Sequence, residues 1–150
     1  MNVWQEAKVS DKNVVMTTVE GFMISFFREA RDNSVWIFLC PPSSREFDIE
    51  RPPVFWVGDG MKHDLALSKS MQEMEEKIDI TAGLMHFAGD EHSMLARVWH
   101  GKESEGMGMI GEMLKGNMLN CQFYMSDYEV VRLSVPLNSP EVIKQVLRVR

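Results

Sequence analysis

The residues best suited to chemistry lie between positions 86 and 100. The segment His86-Phe87-Ala88-Gly89-Asp90-Glu91-His92, with His100 after it, supplies imidazole and carboxylate groups close together in sequence. These are the ligand types that hold Zn, Mn or Fe. If the segment folds as a hairpin, His86 and His92 can face each other and His100 can approach from the far end of the strand. With Asp90 or Glu91, that set would suit a metal-dependent hydrolase with one open coordination position. The opposing reading is simpler. Asp90, Glu91 and His92 have the composition of an exposed turn, and His86 and His100 fall at opposite ends of their strands. Turn residues plus two strand-end histidines is the preferred account, and the hydrolase built on His86, His92 and His100 is the alternative.

Other motifs carry less. Gly106-Met107-Gly108-Met109-Ile110-Gly111 spells the dinucleotide pattern, but the polar run Lys102-Glu103-Ser104-Glu105 precedes it where a buried strand is required. It reads as the glycine-eased start of a helix, and no cofactor is expected. No serine sits in a nucleophile elbow. Cys40 and Cys121 have no histidine within a few residues to activate a thiol, and each sits in an apolar run. Buried free thiols are expected in preference to a disulfide. Glu73, Glu75 and Glu76 read as a solvated helix face. No catalytic residue is assigned. Trp4, Trp36, Trp56 and Trp99 all fall in strand-like runs, where core packing is their default role. Trp56 follows two prolines on a hairpin and is the one expected to be exposed. With Asp59 and His63 on the same hairpin, it forms the candidate binding patch.

These residues need a scaffold, and the length suits one domain. A chain of 150 residues can bury a sizeable core, and 45% apolar with 25% charged residues is ordinary for a globular protein. The net charge of −6 and the scattered basic residues argue against nucleic-acid binding. An acidic surface fits a basic protein partner, or plain solubility. The thirteen methionines fall mostly on apolar faces, where they fill gaps. No apolar run approaches the roughly 20 residues that span a bilayer, and Met1 to Glu6 is no signal peptide. The expected location is cytoplasmic, or periplasmic if an export signal has been removed.

The periodicity predicts strands over 2–9, 14–20, 22–29 and 35–40, separated by the polar turns 10–13 and 31–34. Val35 to Cys40 is a continuous apolar run, as a strand covered on both faces requires. Pro41-Pro42 ends it. Val54 to Val57 and Met61 to Leu67 flank Gly58-Asp59-Gly60 as a hairpin. Ser70 to Glu73 is a capping box for a short helix near 71–77. A further hairpin joins 83–88 to 94–100. Met107, Ile110, Met113 and Leu114 recur at helical spacing, closed by Gly116. Leu119 to Met125 and Val131 to Val135 alternate apolar with polar residues around Ser126-Asp127, as strands with one wet face do. Ser139-Pro140 opens a C-terminal helix. No βαβ alternation is present. The expected class is mainly β: a single-domain antiparallel sandwich or half-open barrel of about 8–9 strands with two or three short helices.

The order of these features resembles the VasI-like accessory proteins, small bacterial β-sandwich proteins associated with the type VI secretion system. The resemblance rests on Trp4, Val14 to Thr18, Val35 to Leu39, Val54 to Asp59, Ile110 to Leu114 with Gly116, Leu119 to Phe123 and Val131 to Leu137. It implies a sandwich fold and a non-enzymatic role, and transfers no functional residue. Such proteins are typically exported.

The leading expectation is therefore a non-catalytic module that binds a protein partner through a strand-rich scaffold with open edges. An inhibitor that presents acidic surface is a variant of it, favoured if Glu46, Asp48 and Glu50 cluster with other carboxylates. A site is expected at the Trp56 hairpin or the His86 to His92 turn.

Overall fold

The computed structural model describes residues 4–9, 12–28, 34–60, 62–67, 85–99, 113, 116 and 118–137. Within them the chain forms ten strands. These are β1 (Gln5–Val9), β2 (Lys12–Val19), β3 (Phe22–Arg28), β4 (Val35–Cys40) and β5 (Val54–Val57). They continue with β6 (His63–Leu67), β7 (Met85–Asp90), β8 (Ser93–Trp99), β9 (Met118–Tyr124) and β10 (Val130–Pro136). The hydrogen-bonded order is β1-β2-β3-β4-β8-β7-β6-β5-β9-β10. All pairs are antiparallel except β6 with β7. The protein is mainly β.

Period-two patterning explains each strand. On β9 and β10, Leu119, Cys121 and Phe123 register against Val135, Leu133 and Val131, and all six are buried. On β3, Phe22, Ile24 and Phe26 point to the same interior. The two groups meet across the core, where the Phe22 and Phe123 rings stack with centroids 6.1 Å apart. Phe47 and Phe55 pack on Phe123 at 5.6 and 6.3 Å. The segment that enters the first strand is fastened to the last strand, because the Trp4 indole N–H donates to the Pro136 carbonyl at 2.7 Å. One continuous core thus draws on the described residues from Trp4 to Leu137.

β4 carries the most buried sequence. Val35, Ile37 and Leu39 are fully buried on one face, and Trp36 is only 4% exposed on the other. Trp36 stacks on Phe27 at 6.3 Å and gives its indole hydrogen bond to the Ser34 hydroxyl at 2.7 Å. That agrees with a central strand covered on both faces.

Three expectations need correction. Trp4 precedes β1 and is not part of it. The β7–β8 turn is tight, at Glu91-His92, so Gly89 and Asp90 belong to β7. β6 and β7 run parallel, and a parallel pair needs a long crossover in place of a hairpin. The helix expected near 71–77 falls in the segment 68–84 between them, which lies outside the described residues. The helices expected around 107–115 and after Ser139 also lie outside them, apart from Met113, which is fully buried in the core. No helical element is therefore established among the described residues.

Gly89 shows how closely the backbones approach. A Cβ built there would overlap the Ser93 carbonyl oxygen, at a φ of +158° that side chains rarely adopt. Gly89→Ala is expected to cost about 2–3 kcal/mol in urea unfolding. A cost below about 0.5 kcal/mol would mean that the β7–β8 hairpin yields freely.

The loop 41–53 leads from β4 across to β5 and closes one end of the core. Phe47 forms a bridge with Met125, and its N–H donates to the Glu91 carbonyl at 2.9 Å. Arg45 lies over the Phe22 ring at 5.9 Å and reaches Glu129 at 2.9 Å. This loop ties the β7–β8 turn to the β9–β10 turn.

Candidate functional site

Strands β5, β9 and β10 place every second residue on the face turned away from the core. Val54 and Trp56 on β5 register with Gln122 and Asn120 on β9. Gln122 and Asn120 in turn register with Arg132 and Ser134 on β10. Neighbours are tied across the strands. The Ser134 hydroxyl donates to Asn120 Oδ1 at 2.8 Å, and Arg132 Nε donates to Gln122 Oε1 at 2.7 Å. Gln122 Nε2 donates to the Tyr124 hydroxyl at 2.9 Å.

At one end of this face the Arg51 guanidinium lies 5.1 Å from the Tyr124 ring centre and 5.7 Å from that of Tyr128. Arg51 is held by Asp48 at 2.9 Å and by a donated bond to the Met125 carbonyl at 3.0 Å. Tyr128 is 82% exposed and Val130 is 46% exposed. Tyr128 also holds a positive φ of 69°, a conformation that costs a bulky residue roughly 1–2 kcal/mol. Toward β6, Lys62 Nζ lies 5.0 Å above the Trp56 ring. The result is a face of Trp, Tyr and Arg side chains with polar groups fixed between them.

The expected binding patch is partly on this face. Trp56 is half-buried beneath Lys62, and Asp59 is exposed in the turn after β5. His63 opens β6 in register with Phe55. Sequence reasoning passed over Arg51, Tyr124, Tyr128 and Arg132. The polar positions of β9 and β10 were legible as a wet face. Their junction with Arg51 and Trp56 depends on β5 pairing with β9, which no local pattern encodes.

The histidines are distributed differently from a triad. His86 is near the start of β7, and His92 is in the turn beyond its end. Four strand steps alone separate His86 from Asp90, about 13 Å. His100 lies outside the described residues. His92 instead meets carboxylates: its imidazole and the Glu46 and Glu91 side chains offer ligand atoms within 4.8 Å of one another. Of the acidic trio in the loop, Glu46 and Glu50 are exposed, while Asp48 turns to Arg51 and accepts the Glu50 N–H at 3.1 Å. An open cavity of about 260 Å³ beside Glu46 and His92 is also lined by Ser43, Ser44, Arg45, Met125, Ser126 and Asp127.

Both cysteines are free thiols. Cys121 is fully buried, and burial pushes its thiol well above the ordinary value of 9.0. Cys40 is half-buried and is raised by desolvation first and the nearby Asp90 charge second. Because the folded chain disfavours the Cys121 thiolate, its contribution to stability is complete below pH 9 and declines as pH rises above it, where the unfolded chain ionises. Cys121→Ala is expected to flatten the fall in stability between about pH 9 and 10.5. In the native state, iodoacetamide should modify Cys40 slowly and spare Cys121 until denaturant is added. Equal alkylation of both thiols without denaturant would contradict this burial.

No protein-family model matches the chain, and neither the curated proteins nor the solved structures contain a match. Among the described residues, no helix is long and apolar enough to cross a membrane.

Proposed function

We propose that this chain is a non-catalytic β-sandwich module that docks a protein partner on the outer face of β5, β9 and β10. The observation that carries the reading is the row Trp56, Tyr124, Tyr128, Arg51 and Arg132. Tyr, Trp and Arg dominate the energetics of protein interfaces, because they offer large rigid contact area with a polar handle. The cross-strand hydrogen bonds hold the polar groups in place beforehand, which lowers the entropy cost of docking. Tyr128 adds a second argument. A large side chain kept 82% exposed at a strained backbone position adds nothing to the core, and such strain concentrates at functional positions. The opposed inner faces, with the entry to β1 tied to β10 through Trp4, suit a sandwich or half-open barrel. An accessory role of the kind the VasI-like resemblance implies agrees with this reading.

Tyr128→Gly and Arg132→Glu test it without threatening the fold. Glycine relieves the strained φ, and both side chains are exposed. Each variant should lower recovery of one specific partner at least about tenfold, as loss of an interface hot spot does, while the urea midpoint does not fall below that of the parent. Glu6→Lys, at an exposed position of β1, should leave recovery unchanged. A partner recovered equally well by both face variants would refute the assignment of this face.

A further inference from the structure

We propose that Glu46, Glu91 and His92 form a binding site for a divalent transition-metal ion, with Zn2+ the best fit. The site shares no residue with the docking face and does not depend on that reading. The three side chains come from the 41–53 loop and the β7–β8 turn, and their ligand atoms all lie within 4.8 Å of one another. Two carboxylate oxygens and one imidazole nitrogen are a mixed set that Zn2+ accepts in tetrahedral geometry, with one position left for water. His92 Nε2 is already 3.7 Å from Glu91 Oε1.

Two independent features favour a cation here. The first is charge. Glu46 and Glu91 are held close together, yet among the described residues no Lys or Arg pairs with either. The guanidinium that lines the same cavity, Arg45, is taken by Glu129 at 2.9 Å and Asp127 at 4.0 Å. The second is a fixed frame with space beside it. The Phe47 N–H donates to the Glu91 carbonyl and the Ser126 N–H to the Glu46 carbonyl, both at 2.9 Å. The Asp90 carboxylate accepts the His92 N–H at 2.8 Å and so orients the turn. The adjoining cavity of about 260 Å³, edged by Ser43, Ser44 and Ser126, has room for the water that would complete the shell. A bound ion would clamp the loop to the turn and so stabilise the closed end of the core.

Isothermal titration of the whole chain with ZnCl2 tests the site, with His92 ring resonances followed by NMR. The expected result is one equivalent bound with a Kd of about 10 μM or tighter, a shifted His92 signal and a raised Tm. Glu46→Gln, Glu91→Gln and His92→Ala should each weaken binding at least about tenfold. Their parent side chains are exposed, so circular dichroism should show an unaltered fold. Glu50→Gln and His86→Ala should bind as the parent does. A parent Kd weaker than about 1 mM overturns the proposal. So does loss of binding in His86→Ala or His100→Ala with His92→Ala unaffected. Weakening by His92→Ala alone, with both glutamate variants unchanged, identifies an adventitious ion on a surface histidine and also overturns it.

Discussion

Phe123→Ala is expected to lower the free energy of unfolding by about 3–5 kcal/mol. Phe123 is completely buried on β9 and is the ring on which the core converges. Phe22 from β3, Phe47 from the closing loop and Phe55 from β5 all pack against it, with centroids 5.6 to 6.3 Å away. Truncation removes the buried ring and leaves a cavity among three side chains anchored on different segments. None of them can move into the space without shifting its own backbone. Urea unfolding should show a lower midpoint at an unchanged slope. Phe123→Leu, which refills part of the space, should recover more than half of the loss. A loss below about 1 kcal/mol for Phe123→Ala would mean that the two inner faces do not close on this ring.

Trp4 is expected to give the second large effect, by a different route. Its ring is 3% exposed and packs on Phe26 at 5.4 Å, and its N–H holds the Pro136 carbonyl. Trp4→Ala therefore deletes a buried aromatic and also removes the hydrogen bond to the Pro136 carbonyl at the end of β10. A loss of about 3–5 kcal/mol is expected. Trp4→Phe separates the contributions, because it keeps most of the packing and removes only the donor. It should cost about 1–2 kcal/mol. Hydrogen exchange at β1 and β10 should accelerate together in both variants, because the indole ties the residue that enters β1 to the end of β10. Faster exchange in β1 alone would show that the two strands are not coupled through this bond.

The strands themselves were legible. Val35 to Cys40 matches β4 residue for residue, and the alternation from Leu119 and from Val131 gives the inward faces of β9 and β10. Local turn chemistry placed the β1–β2, β2–β3 and β9–β10 connections within a residue or two. The parallel pairing of β6 and β7 was not legible. Its determinants are the length of the crossover and the surface left for β6 to join, and neither is written in the strand. The candidate patch was legible only as Trp56 on a hairpin. Its extension through Asn120, Gln122, Tyr124 and Arg132 follows from β9 lying beside β5.

The same distinction holds for the residues able to do chemistry. His86, His92 and His100 are neighbours in sequence, and that proximity suggested a triad. Along a strand each residue advances about 3.3 Å, so nearness in sequence becomes distance in space. Glu46 is remote from His92 in sequence and adjacent in the fold, because the Phe47 N–H binds the Glu91 carbonyl. By itself the sequence determined the periodicity, and with it the strands, their inward faces and a mainly β protein. Those are consequences of side-chain alternation over a few residues. Only the tertiary structure decided which strands adjoin, which face carries Trp, Tyr and Arg together, and which carboxylates meet His92. Those depend on backbone hydrogen bonds between distant segments, whose donors and acceptors are the same at every residue and leave no mark on its identity.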